Sequence, residues 1–230
     1  MARTADEVTG AIATFLATKS VPPTHAWLQT FIPTIRLTTP LLALQKTALF
    51  RLLATDITTS LLKPPSSCFP PNTTDPQVKE TSLRGPITVQ VLDVEDIGRS
   101  RWSQFESLEA HERGETTKGR EVIRVVPEAN GPDATQAETK SSGPHKLLLQ
   151  DANGSKVYAM ELTPVRGVGL QMAIGAKLVL RDCVVARGVL LLEDRGVEVL
   201  GGKVEVWDRK WREGRKGALK EKAGVREGGG

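Results

Sequence analysis

The chain has 230 residues, of which 39% are hydrophobic and 25% charged, with a formal net charge of +4. This composition predicts a folded protein with one good core, and no apolar run approaches the roughly 18 residues that a membrane-spanning helix needs. The polar N-terminus lacks the apolar segment of a secretory signal. Two cysteines are too few for a disulfide framework, so we expect a reduced, intracellular protein.

The positive charge is concentrated at the C-terminal end. The whole surplus of basic over acidic residues lies from Trp207 onward, and residues 1–206 are balanced. The basic run comprises Arg209, Lys210, Arg212, Arg215 and Lys216. Such a run most often forms a solvated helix face, and weak contact with DNA phosphates is the alternative that stays open.

The first sixty residues have a helical pattern. Three amphipathic stretches are present. The first follows Asp6, a candidate N-cap, and the second follows the break at Pro22-Pro23-Thr24. The third follows Thr39-Pro40, where proline falls at a first helical position. Their apolar positions are Val8, Ile12, Phe15 and Leu16, then Trp27, Leu28, Phe31 and Ile32, then Leu41, Leu44, Ala48, Leu52 and Ile57. We predict a three-helix bundle over residues 1–62 and a Pro-rich connector over residues 63–82.

Beyond the connector the apolar period changes from 3.6 to 2. Ile87, Val89 and Val91 alternate with polar residues and predict a first strand. Residues 146–151 and 156–162 flank Asp-Ala-Asn-Gly, which is a hairpin signal.

The remaining segments complete the expected fold. A short helix is predicted between residues 164 and 172, and residues 177–202 predict two or three further strands. The predicted order of elements is that of an OB-fold: a strand, a long excursion, a hairpin, a short helix and further strands. We therefore expect an α+β protein, with the three-helix bundle packed on a five-stranded OB-fold barrel over residues 83–216.

A C-terminal helix is expected to pack on this barrel. Trp207 and Trp211 stand at helical spacing just beyond the last predicted strand. The basic, Gly-rich tail over residues 217–230 is expected to be disordered.

An insertion at about residues 95–145 lies between the first two predicted strands. Loops of this length in a compact domain are usually functional or disordered. Trp102 and Phe105 fall on one side of a predicted helical turn, and an isolated cluster follows, formed by Val122, Ile123, Arg124, Val125, Val126 and Pro127. Apolar residues on a polar loop favour a segment that becomes ordered on a partner, although a merely disordered insertion stays open.

The sequence offers little chemistry for catalysis. His25, His111 and His145 are scattered and form no recognised zinc pattern. Gly167-Val168-Gly169 lacks the third glycine of a dinucleotide fingerprint, and Gly201-Gly202-Lys203 lacks the Ser or Thr of a P-loop. We expect no enzyme, no cofactor, no metal and no small-molecule substrate.

The two cysteines are not predicted to be reactive. Cys183 falls in a predicted strand and is expected to be a small buried apolar residue. Cys68 falls in a loop where it can be exposed, but no basic neighbour in sequence would activate it.

A single-stranded-DNA-binding OB-fold is the main alternative to a protein-binding one. Proteins of that kind stack bases on aromatic side chains along a basic groove. Aromatic residues make up only 4% of this chain, and the predicted barrel strands contribute only Tyr158. An apolar barrel surface favours a protein partner.

Several segments resemble the N-terminal region of the RecQ-mediated genome instability protein 1 family. They are Val21-Pro22-Pro23 before Trp27-Leu28, Thr55-Asp56-Ile57, the first strand running into Asp96-Ile97, and Arg187-Gly188-Val189-Leu190-Leu191-Leu192 with Val199-Leu200-Gly201-Gly202. The similarity covers roughly residues 21–206.

The resemblance implies a non-catalytic, nuclear subunit of a complex between a RecQ-family helicase and topoisomerase III, which dissolves double Holliday junctions. It implies that the barrel binds the topoisomerase and that the insertion reaches that enzyme's DNA gate. The expected topoisomerase contacts are therefore Trp102, Phe105, Val122, Ile123, Arg124, Val125, Val126 and Pro127. The chain ends soon after the predicted barrel, so we expect no counterpart of the second barrel of long family members.

Overall fold

The computed structural model describes residues 4–113, 115–118, 121–124 and 143–224, and for the two short segments it describes the backbone alone. The helices are α1 (Ala5–Thr18), α2 (His25–Phe31), α3 (Leu41–Leu53), α4 (Ile57–Ser60), α5 (Arg101–Glu112) and α6 (Glu205–Lys222). The strands are β1 (Glu80–Leu83), β2 (Ile87–Asp96), β3 (Glu115–Lys118), β4 (Glu121–Arg124), β5 (His145–Asp151), β6 (Lys156–Glu161), β7 (Lys177–Leu180), β8 (Cys183–Ala186), β9 (Val189–Leu192) and β10 (Val197–Gly201). Three short 3-10 turns lie at Ile32–Thr34, Pro65–Ser67 and Asp194–Gly196.

The N-cap of helix α1 lies two residues before the predicted one. Thr4 is the N-cap: its side chain accepts from the Glu7 amide at 3.3 Å, and the Glu7 carboxylate accepts from the Thr4 amide at 2.9 Å. This reciprocal pair satisfies two amides that the helix itself leaves without acceptors, so the prediction of Asp6 as N-cap was wrong.

The helical domain contains four helical segments where three were predicted. Helix α3 begins at Leu41, after Pro40 rather than with it. Ile57 does not extend α3 but opens α4, because the Asp56 carboxylate accepts from the Thr58 amide at 2.9 Å and caps a new helix. The predicted apolar positions nevertheless form one core, which includes Val8, Ile12, Leu16, Leu28, Phe31, Leu44, Ala48, Leu52 and Ile57.

The second domain is built on one curled sheet with the strand order β1-β8-β9-β6-β5-β2-β7-β10. Strand β7 pairs with β2 near one end of this order, and β8 pairs with β9 near the other end. Only Arg181 and Asp182 separate β7 from β8 in the chain, so the sheet must curl to place both strands. Its core includes Val89, Val91, Leu147, Leu149, Leu178 and Leu190.

This sheet contains eight strands where five were predicted. Strand β1 begins at Glu80, within the segment predicted as connector, and pairs with β8. Residues 177–202 hold four strands rather than two or three, because the ladder is interrupted at Asp182, whose φ is 49°. A left-handed conformation of this kind cannot continue a strand.

The short helix predicted between residues 164 and 172 is absent, since residues 162–176 form successive turns. Pro164 limits helix formation, and Gly167 and Gly175 have φ values of +86° and +84°, outside the range of a right-handed helix.

Polar contacts join the helical domain to the sheet. The fully buried side chain of Gln90 on β2 donates to Asp56 Oδ1 at 2.8 Å and to Gln150 Oε1 at 3.0 Å. Its own oxygen accepts from the Ile57 amide at 3.1 Å. The start of α4 is therefore held directly by two strands of the sheet.

A buried lysine lies near the same junction. Lys177 on β7 is fully buried, and its ammonium donates to the Gly175 carbonyl at 2.6 Å. Burial lowers the pKa of Lys177 to about 8, and the Asp56 carboxylate opposes this shift.

Helix α6 packs on the barrel through Trp207 and Trp211, which confirms the prediction made from their spacing. The helix continues to Lys222, so residues 217–222 of the tail that was predicted to be disordered are helical. The side chain of Lys222 contacts the Glu95 carboxylate of β2, which gives the last turn a fixed partner. Residues 225–230 lie outside the described part of the chain.

Candidate partner-binding site

The two ends of the insertion meet where β2 ends and β5 begins, at residues 96–98 and 143–145, which we call the insertion base. The Ile97 amide donates to the Pro144 carbonyl at 3.0 Å. A side chain at position 98 would collide with the Gly143 carbonyl, so glycine is needed there. The insertion therefore leaves and re-enters the barrel at one point.

A buried carboxylate anchors the returning strand. Glu161 Oε2 accepts from the His145 amide at 2.8 Å and lies 2.6 Å from His145 Nδ1. Glu161 Oε1 accepts from the Val165 amide at 2.9 Å. Because both side chains are almost fully buried, these bonds are shielded from competing water.

Helix α5 forms the first part of the insertion and is longer than the single turn predicted. Ser100 caps it by accepting from the Ser103 amide at 3.1 Å. The buried Gln104 side chain donates to the carbonyls of Asp96 and Arg99, at 2.9 and 3.1 Å, and so ties the helix to the end of β2.

Helix α5 lies against α6. Lys216 of α6 binds the Glu112 carboxylate at 2.6 Å and the Glu109 carboxylate at 3.5 Å. Its ammonium also lies 5.8 Å from the centre of the Phe105 ring. The first part of the insertion is therefore held on the folded domain.

The two aromatic residues predicted to bind the topoisomerase are placed differently. Phe105 is 6% exposed and packs inside the protein, with Lys216 over its ring. Trp102 is 44% exposed, and its ring centre lies 5.5 Å from that of Phe105. Only Trp102 can offer a large apolar surface to a partner without movement of α5.

The apolar cluster of the insertion is described only in part. Val122, Ile123 and Arg124 lie on β4, which pairs antiparallel with β3, residue 116 opposite residue 123. Val125, Val126 and Pro127 lie outside the described residues. The β3–β4 pairing was not predicted, because four-residue strands give too short a pattern to separate from a loop.

Helix α6 is fixed to the barrel at several points. Asp208 accepts from the Ile174 amide at 2.9 Å and from Arg212 Nε at 3.0 Å. The Trp211 indole donates to Asp93 Oδ1 at 2.7 Å.

Charge pairing between α6 and its neighbours shifts the pKa values of the paired groups. Burial opposes ionisation of Glu95, but the Lys222 ammonium outweighs it and holds the pKa of Glu95 below its usual value. The same contact raises the pKa of Lys222, and the Glu112 carboxylate raises that of Lys216.

The predicted DNA-contacting residues are divided between two roles. Arg212 and Lys216 bind Asp208 and Glu112, and the Arg215 guanidinium lies 5.1 Å from the Trp211 ring centre. Arg209 and Lys210 are exposed on α6. The basic run therefore mainly holds the helix in place, and Arg209 and Lys210 form no ion pair within the described residues.

A groove of about 710 Å³ lies between β2, α5 and α6. Its apolar lining includes Ile97, Trp207 and Leu219, and its charged lining includes both signs, with Glu95 and Arg101 among them.

An apolar surface on the outside of the sheet was missed in the sequence. Tyr158 on β6 lies opposite Leu148 of β5 and Val189 of β9, and Met160 lies opposite Leu191. We call these five residues the outer sheet face. Along the run 189–192 only Leu190 and Leu192 are fully buried, because alternate residues of a strand point to opposite sides.

The outer sheet face carries one aromatic ring. Tyr158 is 52% exposed, and the Lys146 ammonium lies 4.5 Å from its ring centre. A face with four aliphatic or thioether side chains and one tyrosine suits a protein surface better than a row of stacked bases.

Both cysteines are free thiols and buried. Burial raises the pKa of the Cys68 and Cys183 thiols, which disfavours the reactive thiolate. Cys183 is placed as predicted, and Cys68, for which the sequence left exposure open, packs into the core of the helical domain.

In the described part of the chain, His, Cys, Asp and Glu residues form no group of three or more suited to a metal ion. None of the described helices is long and apolar enough to cross a membrane.

Two protein-family models match this chain. One, described as RMI1, N-terminal OB-fold domain, matches residues 69–215, and the other, described as RMI1, N-terminal helical domain, matches residues 15–60. The chain belongs to the RMI1 family. The resemblance seen in the sequence is thereby confirmed, as is the order of a helical domain followed by an OB-fold domain.

Two RMI1 relatives are similar over much of the chain. The chain is 31% identical over 140 residues to RecQ-mediated genome instability protein 1 of Schizosaccharomyces pombe. The matched region covers 55% of this chain and 60% of that protein. The chain is 32% identical over 139 residues to the protein of the same name from Xenopus laevis, covering 60% of this chain and 23% of that protein. The chain thus matches less than two thirds of the length of either relative.

Proposed function

We propose that this chain is a non-catalytic subunit that binds topoisomerase III through its OB-fold and works with a RecQ-family helicase to maintain genome stability. In this proposal the complex acts in the nucleus and dissolves double Holliday junctions. Membership of the RMI1 family supports the proposal, and the relatives' shared name refers to RecQ-mediated genome instability.

The observation that carries the proposal is the rigid mounting of the insertion. Glu161 and His145 fix one end of it, and Gln104 fixes the start of α5 at the other. Lys216 then holds α5 against α6. A loop that served only as a disordered linker would need none of these contacts.

The outer sheet face is the surface we assign to topoisomerase docking. It is continuous across three strands, and its centre at Tyr158 is more than half exposed. Clusters of this composition form the buried centre of protein interfaces, with polar residues around them. Lys146 of β5 and Lys156 of β6 supply polar positions along the same strands.

The proposed mechanism is differential binding. If the insertion binds the open DNA gate more tightly than the closed one, it shifts the gate equilibrium by that difference and no more. A preference of about 1.4 kcal/mol changes the ratio of open to closed gate about tenfold.

The docking surface is tested with Tyr158→Glu and Leu191→Glu, each of which places a charge in the outer sheet face. We expect either change to weaken binding to topoisomerase III by at least about tenfold, because removing a charge from water into an apolar interface costs more than about 1.4 kcal/mol. Leu62→Glu is the matched control, since Leu62 is also an exposed leucine but lies at the end of the helical domain, outside the sheet. Unchanged binding in the two sheet variants would rule out this docking surface.

A further inference from the structure

Helix α3 presents two large apolar side chains on the outer surface of the helical domain. Phe50 is 76% exposed and Leu42 is 61% exposed. They are eight residues apart, about 12 Å along the helix, and the opposite side of α3 is buried through Leu44, Ala48 and Leu52. Isolated exposed apolar residues are common, so the surroundings decide whether this pair has a role.

The middle of the helical domain, between Glu7 and Asp56, carries charged residues of one sign only. Residues 8–55 contain no aspartate or glutamate, while they contain Lys19, Arg36, Lys46 and Arg51. Within the described residues none of these four cations takes part in an ion pair. By contrast, Lys216 and Lys222 of α6 are both neutralised by carboxylates.

Two of these cations flank the apolar pair. Lys46 is exposed one turn from both Leu42 and Phe50, because it stands at i+4 from the first and i−4 from the second. Arg51 is held in place by a bond from Nη1 to Thr34 Oγ1 at 2.5 Å, and its guanidinium lies 5.5 Å from the centre of the Phe31 ring. Leu42, Lys46 and Phe50 lie on one side of α3, and Arg51 stands about 100° around the helix from Phe50, toward Phe31. We call these four residues the α3 face.

We propose that the α3 face binds an acidic peptide segment of a partner protein, with apolar side chains of the peptide covering Phe50 and Leu42 and carboxylates of the peptide facing Lys46 and Arg51. The absence of any acidic residue over residues 8–55 gives this surface complementary charge for such a segment and repels a basic one. This site is separate from the outer sheet face, so it goes beyond the proposed topoisomerase docking.

Other negatively charged partners fit this surface less well. Binding to an acidic membrane usually requires clusters of about four to eight basic residues, whereas the α3 face supplies two. A DNA backbone would use the cations but would leave Phe50 and Leu42 exposed. A peptide with both acidic and apolar side chains satisfies both features.

The proposal can be tested with a synthetic helical peptide of Asp, Glu and Ala that carries a Leu and a Trp two turns apart, labelled with fluorescein. The control peptide replaces each acid by lysine. We expect the acidic peptide to bind the full chain at least about tenfold more tightly than the basic one at low salt. Amide shifts in nuclear magnetic resonance spectra should change along Leu41–Leu53.

Two variants locate the site. Phe50→Ser and Lys46→Glu change exposed side chains, so the fold should persist, and circular dichroism checks this. Each should weaken binding of the acidic peptide by about tenfold, equivalent to about 1.4 kcal/mol. Leu162→Ser removes another exposed leucine, located on the barrel, and should leave peptide binding unchanged.

The outcomes that overturn the proposal are equally specific. Equal binding of both peptides, unchanged binding in Phe50→Ser, or amide shifts confined to Glu205–Lys222 would each contradict it. Binding of the chain to phosphatidylserine vesicles without binding of the acidic peptide would identify a membrane surface instead.

Discussion

Glu161 and His145 form a buried pair in which one carboxylate oxygen lies 2.6 Å from the imidazole Nδ1 and accepts from the His145 amide at 2.8 Å. The other oxygen of Glu161 accepts from the Val165 amide. A single side chain thus joins the end of the insertion to the barrel and to the turns that lead toward α6.

Glu161→Gln should loosen the insertion base. The amide group can replace only one of the two carboxylate oxygens as acceptor, so one buried amide loses its partner at a cost of about 1–3 kcal/mol. We expect a lower free energy of unfolding in urea and faster hydrogen exchange at residues 143–147. Glu198→Gln is the control, because Glu198 forms only a partly exposed pair with Arg181. Equal effects of the two changes would contradict the anchoring role.

Removal of residues 115–141 tests the gate mechanism, since it leaves both α5 and the insertion base in place. If the insertion prefers the open gate by about 1.4 kcal/mol, decatenation by the topoisomerase complex should slow about tenfold. Binding to the topoisomerase should persist. A second variant keeps the whole insertion but has serine at four of its apolar positions, Val122, Ile123, Val125 and Val126. It tests whether the side chains of the insertion or only its length are needed for decatenation. Decatenation at the normal rate in both variants would refute the gate mechanism.

The pKa of Lys177 predicts an unusual pH dependence of stability. The pKa falls from 10.5 to about 8 on folding, so between these values the unfolded chain binds more protons than the folded one. Stability therefore rises with pH across this window, by up to about 3 kcal/mol if no other group intervenes.

Lys177→Met should abolish this rise and stabilise the protein at neutral pH by roughly 1–3 kcal/mol, because a buried charge is replaced by an apolar side chain of similar length. Urea unfolding at pH 7 and pH 9.5 measures both effects. Lys156→Met, at an exposed position on β6, should keep the wild-type dependence. If the stability of Lys177→Met rose with pH as much as that of the wild type, the rise would come from other groups.

Arg209 and Lys210 are exposed and form no ion pair within the described residues, so they should carry most of any DNA contact by α6. In Arg209→Gln/Lys210→Gln, we expect the dependence of log affinity on log salt concentration to become shallower by roughly 1–2 units. Arg212→Gln should change this slope less, because Arg212 already binds Asp208. Fluorescence anisotropy with a single-stranded oligonucleotide provides the measurement, and an unchanged slope in the double variant would exclude this contact.

The sequence predicted the parts of the fold that depend on local pattern. Period-2 alternation located β2, and Asp-Ala-Asn-Gly located the β5–β6 hairpin, because both signals are properties of neighbouring residues. Residues 162–176 had apolar spacing that suited a helix, but the glycines with positive φ override that spacing.

The site was predicted less completely, because it depends on contacts between distant residues. The spacing of Trp102 and Phe105 indicated an apolar helix face but not what covers it. The covering residue Lys216 binds Glu112 of this helix although the two are 104 positions apart in the sequence. The outer sheet face also had a signal in the sequence, the alternation of Tyr158 and Met160, but cross-strand register was needed to join these residues to Leu191.

The central claim is that this chain is a topoisomerase III subunit, and size-exclusion chromatography of the chain mixed with topoisomerase III from the same source tests it most directly. We predict that the two proteins elute together as a stable complex and that the complex persists at a salt concentration that removes nonspecific DNA binding. Separate elution of the two proteins, together with tight, salt-dependent binding of this chain to a single-stranded oligonucleotide, would contradict the proposed function and identify a DNA-binding OB-fold protein.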